Sequence, residues 1–163
     1  MPCISNRLAR LLVALLVAVL AAGCSGNSES GRVETTIREY NRQLARAFAQ
    51  NDMNALSSVA THDQAYTEFY QMAALGEAGF VLKTTLQEIE FTSISFSGDA
   101  SATAETTESW DYEHVSIETS ETVRSEKGVT YRLRYELVLQ DDRWLVDKVT
   151  SLEDETVNDS GGD

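Results

Sequence analysis

The chain has 163 residues, of which 42% are hydrophobic and 24% charged, with 26 acidic against 13 basic side chains for a net charge of −13. That length holds one small domain besides short terminal segments. So acidic a balance argues against nucleic acid as a partner and against adsorption to anionic lipid head groups, and favours solubility at high salt or a cationic partner. Two cysteines, Cys3 and Cys24, are too few for a disulfide framework or a cysteine-based metal site.

The chain opens with Arg7 and Arg10 and no acid, continues through an apolar run from Leu11 to Ala22, and closes on Leu20-Ala21-Ala22-Gly23-Cys24. A positive start, a short apolar stretch and small residues at its end make a secretory leader. Twelve apolar residues as a helix would cover about 18 Å, short of a ~30 Å hydrocarbon core. The closing residues resemble the lipobox of bacterial lipoproteins, although Ala21 stands where that family more often has Leu. The resemblance implies cleavage between Gly23 and Cys24, a diacylglyceryl thioether on the Cys24 sulfur and an N-acyl chain such as palmitate. Two or three acyl chains anchor firmly, because each buried CH₂ contributes about 0.8 kcal/mol. The domain would then sit on the extracytoplasmic side of a membrane, and Ser25 resembles an outer-membrane sorting residue if the envelope has two membranes. A plain secreted chain and an uncleaved anchor are the alternatives. Arg7 and Arg10 are not adjacent, so the leader is less like a twin-arginine signal.

Residues 24–31 then read as the lipidated cysteine and a flexible spacer of small polar residues, residues 32–152 as the domain, and residues 153–163 as a disordered acidic tail without a loop that would preset calcium ligands. Within the domain, Val33, Ile37, Tyr40, Leu44 and Phe48 recur at spacings of four and three, one apolar stripe on a helix of about five turns. Asn51-Asp52 breaks it. Asp52 is placed to cap a short helix over 53–59. Thr61-His62-Asp63-Gln64 has the form of a capping box, opening a third helix to about Leu75 with Ala65, Phe69, Met72 and Leu75 on one side and Gly76 or Gly79 beyond its end.

From Leu86 the period becomes two. A strand runs from Leu86 to Phe96, with a parity change between Ile89/Phe91 and Ile94/Phe96 that implies a bulge. Ser97-Gly98-Asp99 turns the chain. A second strand follows from Ala100, with Ala102, Ala104, Thr106, Glu108, Trp110 and Tyr112 on one face. Thr119 to Gly128 reads as a polar loop. Val129 to Leu139 alternates cleanly, Asp141-Asp142 turns it, and Trp144 to Leu152 returns as the last strand. Three helices followed by four antiparallel strands is an α+β plan.

This order resembles the NTF2-like superfamily, in which helices fill the concave side of a curved antiparallel sheet. More narrowly it is similar to the small domain at the C-terminal end of a plastid-division protein and of TcaA-type bacterial membrane proteins. The pieces that carry the likeness are Phe48-Ala49-Gln50-Asn51-Asp52, Ala104 to Trp110, Tyr131 to Leu137 and Asp142 to Val146. That superfamily holds isomerases, dehydratases, transport factors and non-catalytic modules, so the resemblance does not select a function.

Residues with chemical potential are few. His62 beside Asp63 has the composition of a general base, but capping explains both. His114 lies near Asp111 and Glu113, with alternation separating it from both, and no third metal ligand is evident. Glu108 shares a face with Ala104 and Trp110. It either enters the concave face, where an unpaired carboxyl would serve as acid or base, or is turned outward or paired with Arg132 or Arg134, which is the plainer expectation. Trp110, Tyr112, Tyr131 and Tyr135 are candidates to line a pocket with it, or else core. Neither a nucleophile motif, a phosphate loop nor a cofactor motif is present. The expectation is therefore a lipid-anchored binding or interaction module whose partner is an envelope protein or a small ligand. A small pocket enzyme (isomerase or hydrolase) and a passive structural lipoprotein are the alternatives.

Overall fold

A computed structural model describes residues 28–155. The leader, Cys24 and the acidic residues from 156 onward lie outside the described residues. The first helix, α1 (Glu29–Gln50), buries Val33, Ile37, Tyr40 and Phe48 as the spacing predicts, together with Ala47 and the polar Asn41. It begins earlier than expected. The Ser28 Oγ accepts the Gly31 N–H at 3.1 Å, so the last residues of the predicted flexible spacer are the cap and first turn of a helix. Glu29 fixes this turn by accepting from Trp144 Nε1 and Arg32 Nη1, both at 2.9 Å. An acid directly after a serine is a helix-start signal, which the small polar composition of the segment obscures.

Asn51 ends α1 in the left-handed conformation at φ 54°. Asp52 Oδ1 then accepts the Asn54 N–H at 3.0 Å. The predicted short second helix is a 3₁₀ turn, Asn54–Ser58, which buries Leu56 completely. The expected three helices are thus two α-helices and this turn. Its exit is stitched to the sheet: Thr61 N–H donates to Val146 O, and Val146 N–H to Val59 O, each at 2.9 Å. The second helix, α2 (His62–Glu77), starts from Thr61, whose Oγ1 accepts the Gln64 N–H at 3.4 Å. Gly79, at φ 84°, lets the chain reverse into the sheet.

Four strands, β1 (Phe80–Phe96), β2 (Ser101–Ser116), β3 (Thr122–Gln140) and β4 (Arg143–Ser151), form an antiparallel meander in that spatial order. β1 starts at Phe80 rather than Leu86, because Phe80-Val81-Leu82 has no alternation by which to recognise a strand. Its register shifts twice, between Leu86 and Glu88 and between Phe91 and Ser93. The second shift lies where the parity change predicts a bulge. β3 starts at Thr122, within the expected polar loop. Residues 122–128 are exposed throughout; they extend β3 as an edge along β2, whose other side is paired with β1, and composition alone reads them as loop. Gly128, at φ 64°, lies at the register shift between Trp110 and Tyr112, its N–H on Asp111 Oδ1 at 2.8 Å. A last helical turn, α3 (Leu152–Glu155), takes up the start of the predicted tail and buries Leu152.

Bulges increase strand bend and twist, and the meander curves around α1. The core lies in that concavity: Val33, Ile37, Tyr40 and Leu56 meet Ala102, Ala104, Tyr135, Leu137, Trp144 and Val146. Each large side chain fully buried there stabilises the fold by about 1.5–3 kcal/mol.

Candidate functional site

Alternation along β2 sends Ala102, Ala104, Thr106, Glu108 and Trp110 inward. Glu108 has no exposed surface. It accepts from four neutral side chains: Asn41 Nδ2 at 3.1 Å to both oxygens, Thr106 Oγ1 at 2.9 Å, Tyr135 OH at 2.8 Å and Trp110 Nε1 at 2.8 Å. The plainer expectation for Glu108, outward or paired with arginine, is overturned. Arg134 instead forks onto Glu105, its register partner, at 3.0 and 3.2 Å, and Arg132 lies opposite Thr107. Strand alternation separates these arginines from the inner face.

A second buried carboxyl, which the sequence reading missed, lies near the first. Glu68 on α2 is 8% exposed. Its Oε1 accepts from Tyr40 OH at 2.9 Å and Gln64 Nε2 at 2.8 Å, and Gln64 Nε2 also reaches Tyr40 OH. No bond falls on Glu68 Oε2 from the described residues. Burial pushes the Glu68 carboxyl above the usual range, only partly opposed by the bonds from Tyr40 and Gln64. Burial, followed by the adjacent carboxyls, holds the Tyr40 and Tyr135 hydroxyls well above the usual phenol range. Both phenols therefore stay protonated as donors.

These groups border a cavity of about 400 Å³. Glu108, Trp110, Tyr112, Tyr131 and Tyr135, the residues singled out from sequence, all reach its wall. Tyr40, Asn41, Phe48 and Glu68 join them from the helices. The rings of Trp110, Tyr112 and Tyr131 follow one another along the sheet at 6.4 and 6.1 Å, and Tyr40 meets Tyr135 edge-on at 6.2 Å. Burial, then the Tyr131 hydroxyl, raises the Tyr112 phenol too.

The stripe expected on α2 holds at Met72, which is buried, and at Ala65, which packs against the core, but not at Phe69. Gln64, Glu68 and Met72 face inward, while Phe69, expected in the apolar stripe, is 42% exposed. It forms an outer row with His62, Tyr66 and Tyr70. The Gln64 side chain does not close the capping box, because it is drawn to Tyr40 and Glu68. His62 Nδ1 and Asp63 Oδ1 are 3.5 Å apart with both side chains in solvent, away from the cavity. His114 Nδ1 is buried without a partner, and His114 does not reach the cavity wall. Among the described residues, no three His, Cys, Asp or Glu side chains are grouped to hold a metal ion, and no helix is long and apolar enough to cross a membrane.

Two α-helices on an open four-stranded antiparallel sheet, with a lined cavity in the concave side, make an α+β cone, the fold that the NTF2-like resemblance implies. The intermembrane-space region of the chloroplast protein ARC6 superposes with a TM-score of 0.63 at 19% identity, over 79% of this chain and 98% of that one. A ketosteroid isomerase-like protein from Erwinia carotovora atroseptica gives 0.52 at 12% identity, over 78% and 98%. A periplasmic fragment of TraM gives 0.50 at 10% identity, over 72% and 96%. No family model matches the sequence, and no curated protein matches it. At these identities the likeness is one of fold.

Proposed function

We propose that this chain is a lipid-anchored, extracytoplasmic binding module of the cell envelope, and that its cone cavity takes a small ligand with an apolar body. One observation carries the binding reading. The cavity is open and aromatic-lined, yet Glu108, the carboxyl deepest in the fold, has both oxygens taken by Asn41, Thr106, Trp110 and Tyr135. A general base needs a lone pair within reach of substrate. Glu108 instead fixes the aromatic wall in place, as a pre-formed binding cavity requires. The leader and Cys24 support the anchored location, as do the intermembrane-space and periplasmic origins of two proteins of like fold. Acyl chains would hold the domain at the surface while the cavity meets its ligand.

The pocket-enzyme reading has one observation on its side, the raised carboxyl of Glu68 with Oε2 unbonded. The cavity-lining residues include neither a nucleophile beside a base nor a lysine or arginine to steady a developing anion, so binding is the better account.

Metabolic labelling with an alkyne-bearing fatty acid tests the anchor. The wild-type chain should label and sediment with membranes, and Cys24→Ala should not label. Labelling that persists in Cys24→Ala ends the lipoprotein reading.

A further inference from the structure

We propose that the cavity selects an organic ammonium ion carrying a ring-sized apolar body, with Glu68 as the group that reads its charge. This rests on the binding reading above and names the ligand class for the same site.

The polar inventory of the cavity is one-sided. Glu68 and Glu108 line it, and no lysine, arginine or histidine does. An anionic ligand would meet carboxyl groups with no counter-charge. Glu108 cannot serve as reader, because four side chains already donate to it. Glu68 can. More than nine-tenths of it is buried, Oε1 is held by Tyr40 and Gln64, and Oε2 has no donor from the described residues. The fully enclosed, unpartnered polar atoms among those residues are Gln43 Oε1 and His114 Nδ1. Glu68 Oε2 is not one of them, so it keeps an opening through which a ligand can reach it. A charge-assisted N⁺–H···O⁻ bond is the strongest that fits there.

The walls supply the second half of the match. Trp110, Tyr112 and Tyr131 form a continuous aromatic surface, and a desolvated cation is drawn to such rings by their quadrupoles. A volume of about 400 Å³ has room for a cation with a phenyl-sized body. The net charge of −13 adds long-range attraction for cations. Burial favours the neutral form of Glu68, and a bound ammonium reverses that preference by supplying a counter-charge.

Three soluble probes of nearly one shape separate the terms: 2-phenylethylammonium, 2-phenylethanol and phenylacetate. Each is titrated calorimetrically into the full chain in zwitterionic-lipid nanodiscs, with empty discs as blank. The ammonium should bind at least tenfold more tightly than the alcohol, and phenylacetate should be weakest. Glu68→Gln keeps an oxygen for Tyr40 and Gln64. It should remove the ammonium's advantage over the alcohol. Tyr112→Leu should weaken the ammonium more than the alcohol. Equal binding of ammonium and alcohol to the wild-type chain, or an ammonium preference that survives Glu68→Gln, overturns the inference and leaves the cavity reading standing. Failure of all three probes to bind overturns both.

Discussion

Replacing Glu108 by leucine removes one acceptor from a cluster of four donors. Tyr135 OH has a second acceptor, Asn41 Oδ1 at 3.1 Å, and would turn to it. Asn41 Nδ2, Thr106 Oγ1 and Trp110 Nε1 donate only to Glu108. Leaving a buried donor unsatisfied costs about 1–3 kcal/mol, so three of them cost about 3–9 kcal/mol. A domain of this size is stable by about 5–15 kcal/mol in all. The lower figure alone would reduce Tm by roughly 10 °C, taking about 3–4 °C per kcal/mol, and the upper one would leave the chain largely unfolded. Thermal melts followed by circular dichroism give the answer directly. A Glu108→Leu variant melting within 3 °C of wild type would refute the claim that Glu108 is the acceptor on which this cluster depends.

Two further outcomes follow from the same geometry. Glu68 has a folded-state carboxyl held above its ordinary 4.5 by burial, so the folded state binds its proton more tightly than the unfolded one. Its stabilising contribution is complete below the unfolded value and is lost as pH rises through the folded one. In melts from pH 4 to 8, Glu68→Gln should therefore gain Tm relative to wild type as pH increases above 4.5, and a pH-independent difference would show that the carboxyl is not perturbed. At the β3–β4 turn, Asp141 and Asp142 have φ of 48° and 60°, which a non-glycine residue adopts at a cost of about 1–2 kcal/mol. Asp142→Gly should raise stability by about 1 kcal/mol in urea melts, because Arg32 also holds the backbone carbonyl at 2.6 Å and the exposed ion pair that is lost contributes little. An unchanged or lower midpoint would mean that this ion pair outweighs the backbone strain.

Elements with a clean period were legible in the sequence. The α1 stripe and the alternation of β2 and β3 carried the fold, and β2 also placed Glu108 and Trp110 on one face. What stayed hidden was tertiary in origin. Nothing local tells the edge strand at 122–128 from a loop, since its side chains on both faces are exposed. The rotation of α2 depends on what its polar residues meet. Gln64 reads as part of a capping box, and Glu68 gets no reading of its own, until Tyr40 is placed opposite them. For the two buried carboxyls a signal existed. Asn41 falls four residues after Ile37 on an otherwise apolar face, and Gln64, Glu68 and Met72 share one face at spacings of four. Polar residues in register with a buried stripe are the mark of an interior network, and weighting that pattern above the apolar Phe69 would have found the second carboxyl.

The cap at Ser28 sets a length scale for the proposed tether. From Cys24 only four residues of chain remain before the helix, a leash of at most about 14 Å at some 3.5 Å per residue. Beyond it α1 is a rod, and its cavity-facing residues, Tyr40 to Phe48, stand about 18 to 30 Å along it from Ser28 at 1.5 Å per residue. Upright, that rod lifts the mouth clear of the head groups, so cargo is met in the surrounding water. Recumbent, it would bring the cavity down to the level of the head groups, where cargo could be drawn from lipid. The tilt of a single helix thus decides which of two reservoirs supplies the site.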